Sequence, residues 1–269
     1  MKTLPLALAL IVCAHTSRAQ EKSAFASFIE LPWRHVIGGH SAGKWHDSEA
    51  AGRLLGKPGI SYRVFSLKGP AGSVTAGKAA PEADVCPDVW MQIITPRPDP
   101  SAPVTLGVNA SWDPMPRAAV MADTGDGALA AVVRGMLVKR GIAIPEVKIH
   151  QRLQIDLDGD GRAETLVAAR RFVNEVELFS AAAGDYCLVF MERETAKGVT
   201  RQILHGDAYP RADPEAAPSI HEITGLLDLD GDGRLEVITH TGYYEGGGCQ
   251  VWQLRGDELV KVIELDCGV

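Results

Sequence analysis

The sequence predicts an α+β protein whose C-terminal half is built from antiparallel β blades. Three observations support this. An acidic nonapeptide occurs twice, short apolar and β-branched runs bracket both copies, and helical spacing of apolar residues is confined to the first half. The first copy is Asp156-Leu157-Asp158-Gly159-Asp160-Gly161-Arg162-Ala163-Glu164, and the second is Asp228-Leu229-Asp230-Gly231-Asp232-Gly233-Arg234-Leu235-Glu236.

Along the chain, residues 20–145 read as an N-terminal mixed α/β region. Strands are expected over 34–37, 62–67, 89–95 and 104–108, where β-branched and aromatic residues cluster. A short helix is expected over 48–55, capped by Asp47 or Ser48. A longer one is expected over 127–140, where Leu129, Val132, Val133, Met136 and Leu137 recur at helical spacing. Residues 146–269 hold two repeats, about 146–205 and 219–269. Strands over 164–171, 186–192 and 199–204 follow the first loop, and strands over 235–241, 249–254 and 259–265 follow the second. Aligning Tyr186-Cys187-Leu188-Val189-Phe190 with Gly248-Cys249-Gln250-Val251-Trp252 superposes the middle strands. Each unit is then one propeller-like blade. Two blades do not close a propeller, which takes four or more, so the N-terminal region is expected to cap or complete the sheet.

Four carboxylates in nine residues repel one another unless a cation lies between them, and calcium, a hard ion that prefers oxygen ligands, resolves the conflict. An EF-hand would need a bidentate glutamate at position twelve, where Val167 and Thr239 stand. The loops instead resemble the strand-loop-strand calcium sites of FG-GAP/VCBS-type repeats, the units of integrin α-subunit propellers. The resemblance covers the last 125 or so residues. It implies two calcium ions, one held by side-chain oxygens of Asp156, Asp158, Asp160 and Glu164 with the carbonyl of Arg162. The other would be held by Asp228, Asp230, Asp232 and Glu236 with the carbonyl of Arg234. It also implies a scaffold for recognition or adhesion, with a protein or glycan as the ligand. Glutamate replaces the usual aspartate at position nine.

Residues 1–19 read as a secretory leader: Lys2, a short apolar run, and Ser17-Arg18-Ala19 as the cleavage signal. The expected product is exported, secreted or periplasmic, with no membrane span, since no apolar run reaches about 20 residues. Without Lys2 and Arg18 the basic residues fall from 27 to 25 against 34 acids, a charge of −9. Such an acidic chain lacks the basic surface that nucleic-acid binding requires. Cys86, Cys187, Cys249 and Cys267 would form two disulfides in an oxidising compartment. Cys249 with Cys267, flanking a hairpin, is the favoured pair, leaving Cys86 with Cys187.

The alternative function is a serine hydrolase. Gly39-His40-Ser41-Ala42-Gly43 matches the G-x-S-x-G nucleophile elbow, with Ser41 as nucleophile and a histidine from His150, His205, His221 or His240 as base. Only about twenty residues would precede Ser41, too few for the preceding units of that fold. His35, His40, His46 and Asp47 have no metal-site spacing. Tyr243 and Tyr244, beside Glu245 and three glycines, could form a recognition surface for a glycan or peptide.

Overall fold

The computed structural model describes residues 25–82, 85–174 and 179–268; the expected leader lies outside them. Every strand pairing among these residues is antiparallel.

The N-terminal region contains β1 (Ala26–Leu31), β2 (His35–Ser41), β3 (Lys44–His46), helix α1 (Ser48–Leu54), β4 (Ile60–Ser66), β5 (Gly69–Glu82), β6 (Cys86–Thr95) and β7 (Thr105–Asn109). β1 pairs with both β7 and β2, and β2 pairs with β6. The order β1-β7-β4-β5-β6-β2 therefore returns to β1, with β3 added outside β2. Ring closure pairs every strand of the ring on both sides. Through β7 the region is thus more strand-rich than the mixed α/β cap expected, with α1 the one helix among the described residues up to Asn109. That helix starts where its cap predicts, Asp47 Oδ1 accepting the Ala50 N–H at 2.8 Å. β5 went unrecognised because Gly-Pro-Ala-Gly-Ser-Val-Thr-Ala-Gly-Lys-Ala-Ala-Pro-Glu has almost no strand-forming side chains. Pairing with β4 on one side and β6 on the other holds it extended, and only Ala76 and Ala79 are buried.

The first repeat is a five-stranded sheet, β8 (Val120–Met121), β9 (Ile149–Ile155), β10 (Glu164–Arg171), β11 (Asp185–Thr195) and β12 (Gly198–Tyr209). Between β8 and β9 lies α2 (Gly127–Lys139), capped by Asp126. Its buried face, Leu129, Val133 and Leu137, packs on Tyr186, Leu188 and Phe190. The sheet unit therefore reaches back to Val120. The second repeat is a four-stranded meander, β13 (Ile220–Leu227), β14 (Glu236–Tyr243), β15 (Gly246–Arg255) and β16 (Glu258–Gly268).

The second repeat lies between the other two units. Leu226, Val237 and Leu254 share a core with Leu153, Leu166 and Val189 of the first repeat. Leu227, Ile238 and Val251 share another with Phe28 and Leu106 of the barrel. Gly225 marks the second junction. A Cβ there would lie 2.1 Å from Leu106 Cδ1 and 3.2 Å from Ile238 Cδ1, and Leu106 is itself only 2 % exposed. Gly225→Ala should therefore cost about 1–3 kcal/mol through overpacking, read as a lowered denaturant midpoint with unchanged slope.

Among the described residues one disulfide, Cys86–Cys267, ties the start of β6 to the end of β16 across 181 residues, and Cys187 and Cys249 are free and buried. Both expected pairs are corrected. In the β15–β16 register Cys249 faces Leu265 while Cys267 faces Gly247, so the two cysteines are diagonal rather than opposite. Diagonal neighbours stand about 7–8 Å apart, beyond ordinary disulfide reach. Among the described residues no helix is long and apolar enough to cross a membrane.

Candidate metal centres

Both acidic loops join the first long strand of a repeat to the next, β9 to β10 and β13 to β14. Their first aspartates organise the turn. Asp156 Oδ1 accepts the N–H groups of Gly159 (2.7 Å) and Asp160 (3.1 Å), and Oδ2 that of Gly161 (2.9 Å). Asp228 accepts those of Gly231 (2.7 Å) and Gly233 (3.0 Å). All four of these glycines have positive φ, between 78° and 86°, a conformation that side chains with a Cβ disfavour. Position nine closes each turn: Glu164 Oε2 accepts the Leu157 N–H and Glu236 Oε2 the Leu229 N–H, both at 2.8 Å.

The loops then diverge. In the second, one oxygen each from Asp228, Asp230 and Glu236 lies within 4.8 Å of the others. Glu236 is completely buried, and its Oε1 has no hydrogen-bond partner. A buried carboxylate oxygen left unpartnered is costly, and a hard cation between three such oxygens would satisfy it. The residues of this loop therefore fit a calcium ion. In the first loop the converging oxygens come from Asp156, Asp158 and Asp160. Glu164 Oε1 instead faces the Arg193 guanidinium, 2.9 Å from Nη1. That contact is an ion pair without hydrogen-bond geometry at Nη1; Arg193 Nη2 donates to Asp158 Oδ2 at 2.7 Å, and Asp257 approaches Nε at 3.5 Å. Asp160 and Asp232 each accept an N–H from the arginine two residues on, Arg162 at 2.8 Å and Arg234 at 2.7 Å.

The electrostatics follow burial and charge. Burial pushes Asp228 up to about 6, and raises Asp230, with Asp232 adding to the effect. Burial also lifts Glu236 well above the usual carboxylate range, with Asp230 contributing. In the first loop burial opposes Arg193 at Asp158, and the guanidinium's hydrogen bond and charge help bring that carboxyl below its usual value. Glu164 stays raised, burial outweighing the Leu157 N–H and Arg193.

Three partners of the loops were not evident in the sequence. Arg117 donates from Nε to the Asp156 carbonyl (2.7 Å), and from Nη2 to those of Leu157 (3.1 Å) and Gly233 (2.8 Å), so it bridges both loops. Trp112 packs its ring over Gly231 and donates to the Asp228 carbonyl at 2.9 Å. Gln253 Nε2 donates to Asp230 Oδ2 at 2.7 Å. Correct alignment of the repeats exposes the third. Thr165 lies opposite Glu192, and Val237 opposite Trp252. Tyr186 therefore corresponds to Gly246, two residues from the position the sequence alignment chose. A slip of two preserves which face each side chain occupies, so the hydrophobic pattern does not reveal it. In the corrected register Arg193 corresponds to Gln253.

The remaining sequence candidates fall elsewhere. Ser41 ends β2 in a two-residue hairpin turn at Ala42 (φ 50°) and Gly43 (φ 74°), followed by β3. A nucleophile elbow is followed by a helix. The Ser41 hydroxyl meets His46 Nε2 at 2.9 Å, rather than any of the four downstream histidines considered. His35 instead pairs with Glu82 at 3.3 Å, and buried His40 lies tilted against the Trp45 ring. Tyr243 packs near Gly268 and donates to Asp266 at 2.9 Å, while Tyr244 is half exposed against Phe179. Both tyrosines line a cleft of about 490 Å³ between the barrel and the second repeat. Exposed Trp33 and the Glu30–His240 pair (2.9 Å) share it.

No protein-family model matches the chain, and neither does any curated protein or solved structure.

Proposed function

We propose that this is an exported calcium-binding β-repeat protein in which calcium is structural and the assembled surface recognises a protein or glycan ligand. The observation that carries the calcium reading is Glu236, a fully buried carboxylate with one orphaned oxygen beside Asp228 and Asp230. A cation answers that oxygen and the repulsion of its neighbours together. The Cys86–Cys267 bridge supports an oxidising, exported setting. The cleft holding Trp33 and Tyr244 supports recognition, because exposed aromatic faces beside acids suit sugars and peptides.

Thermal unfolding of the oxidised protein in excess calcium and in EDTA tests the calcium reading. At a hundredfold excess over Kd a native-state ligand adds roughly 2.7 kcal/mol. For a chain of this size the melting temperature should then rise by roughly 5–10 °C. Identical melting curves, with no calcium found by metal analysis, would sink the proposal.

Ser41 nucleophilicity is the competing reading, and its one favourable observation is the Ser41–His46 hydrogen bond. The hairpin at Ala42-Gly43 opposes it. A fluorophosphonate probe should leave the wild-type protein unlabelled; labelling that disappears in Ser41→Ala would reinstate the hydrolase.

A further inference from the structure

We propose that only the second loop, residues 228–236, takes the cation, and that the first loop carries a built-in substitute, the Arg193 guanidinium. The inference rests on the calcium reading above. Each repeat places one side chain of its third long strand beside its loop, at corresponding register positions: Arg193 on β11 and Gln253 on β15. Both donate to the position-three aspartate at 2.7 Å, Arg193 to Asp158 and Gln253 to Asp230. The geometry is repeated, but the charge is not.

The consequence falls on position nine. Glu164 Oε1 has a guanidinium nitrogen at 2.9 Å, whereas Glu236 Oε1, in a completely buried side chain, has no partner. A cation entering the first loop would meet the charge of Arg193. It would also have to draw Glu164 away, leaving Arg193, a residue only 8 % exposed, short of a counter-charge. A cation entering the second loop completes a set that already lacks one. The difference lies with Arg193 and not with Arg117, whose guanidinium serves both loops: its Nη1 stands 3.4 Å from a Cβ position at Gly159, and its Nη2 donates to the Gly233 carbonyl at 2.8 Å.

The occupied loop is also fastened to the segment that follows the barrel, as the first loop is through Arg117. Trp112 donates to the Asp228 carbonyl, and the Asp228 N–H donates to Pro114 at 2.8 Å. The single ion therefore pins the central sheet to the strap that leads from the barrel into the repeats.

Calcium stoichiometry, measured by equilibrium dialysis with metal analysis on the oxidised full-length protein, tests this. The wild type should hold one ion, Asp156→Asn should keep it, and Asp228→Asn should lose it. The reciprocal exchange is the sharper test: Arg193→Gln should raise the count to two, and Gln253→Arg should weaken binding by at least a hundredfold. Two wild-type ions with Kd values within tenfold would overturn the inference while leaving the calcium reading intact. So would one ion lost in Asp156→Asn but kept in Asp228→Asn. No ion in the wild type overturns both. The two Asp→Asn variants keep an acceptor oxygen for the turn, so the test survives if an exchange variant fails to fold.

Discussion

Opening the Cys86–Cys267 bridge, by the paired substitution of both cysteines with serine, should produce the largest stability loss available from this chain short of dismantling its core. The bridge spans 181 residues, and closing a loop of that length removes about 5 kcal/mol of entropy from the unfolded chain in the loop-closure account. Losses of about 2–5 kcal/mol are the usual range for a native disulfide. The bridge joins the barrel to the last strand of the second repeat, so both ends of the layered core are released together. The expected readout is a fall in denaturant midpoint relative to the oxidised wild type, with a smaller change on reducing the double variant. A loss below about 1 kcal/mol would show that the packed junctions hold without the staple. The free thiols do not confuse the comparison. Burial pushes Cys187 up to about 12 and holds Cys249 well above its ordinary value, so neither forms a reactive thiolate in the folded protein.

Glu236→Gln should move stability in opposite directions with and without calcium. In EDTA the wild type keeps a buried carboxylate beside Asp228 and Asp230. The amide removes that charge, preserves the acceptor for the Leu229 N–H, and should stabilise the apo protein by about 1–3 kcal/mol. In calcium the variant should lose the ion's contribution, so the wild type becomes the more stable of the two. The pH dependence in EDTA provides a second reading. The folded values of Asp228, at about 6, and of Glu236, higher than usual, exceed those of unfolded carboxyls. The folded state therefore binds more protons between about pH 4 and the folded values, and apo stability falls as pH rises through that window. Glu236→Gln should flatten the fall. Equal destabilisation of the variant in calcium and in EDTA would instead make Glu236 an ordinary core hydrogen-bonding group.

Much of this molecule was legible along the chain because its signals are local. Strand β10 has the expected bounds, and both helices begin where expected, at Ser48 and at Gly127. The turn of each acidic loop follows from its own aspartates and glycines, whose hydrogen bonds span five residues or fewer. The less legible parts share one cause: partners far away in sequence. Strand β5 is extended because two neighbours hydrogen-bond its backbone, not because of its own side chains.

The sequence by itself determined the doubled carboxylate loop and the antiparallel strands around it, since short-range geometry suffices for those. Only the tertiary structure decided which cysteines meet, because sheet register sets the diagonal between Cys249 and Cys267. It also decided which loop has an internal counter-charge. Arg193 lies 35 residues from Asp158 and Gln253 lies 23 from Asp230. Two nearly identical acidic nonapeptides became unequal because a neighbouring strand lends a cation to one and an amide to the other.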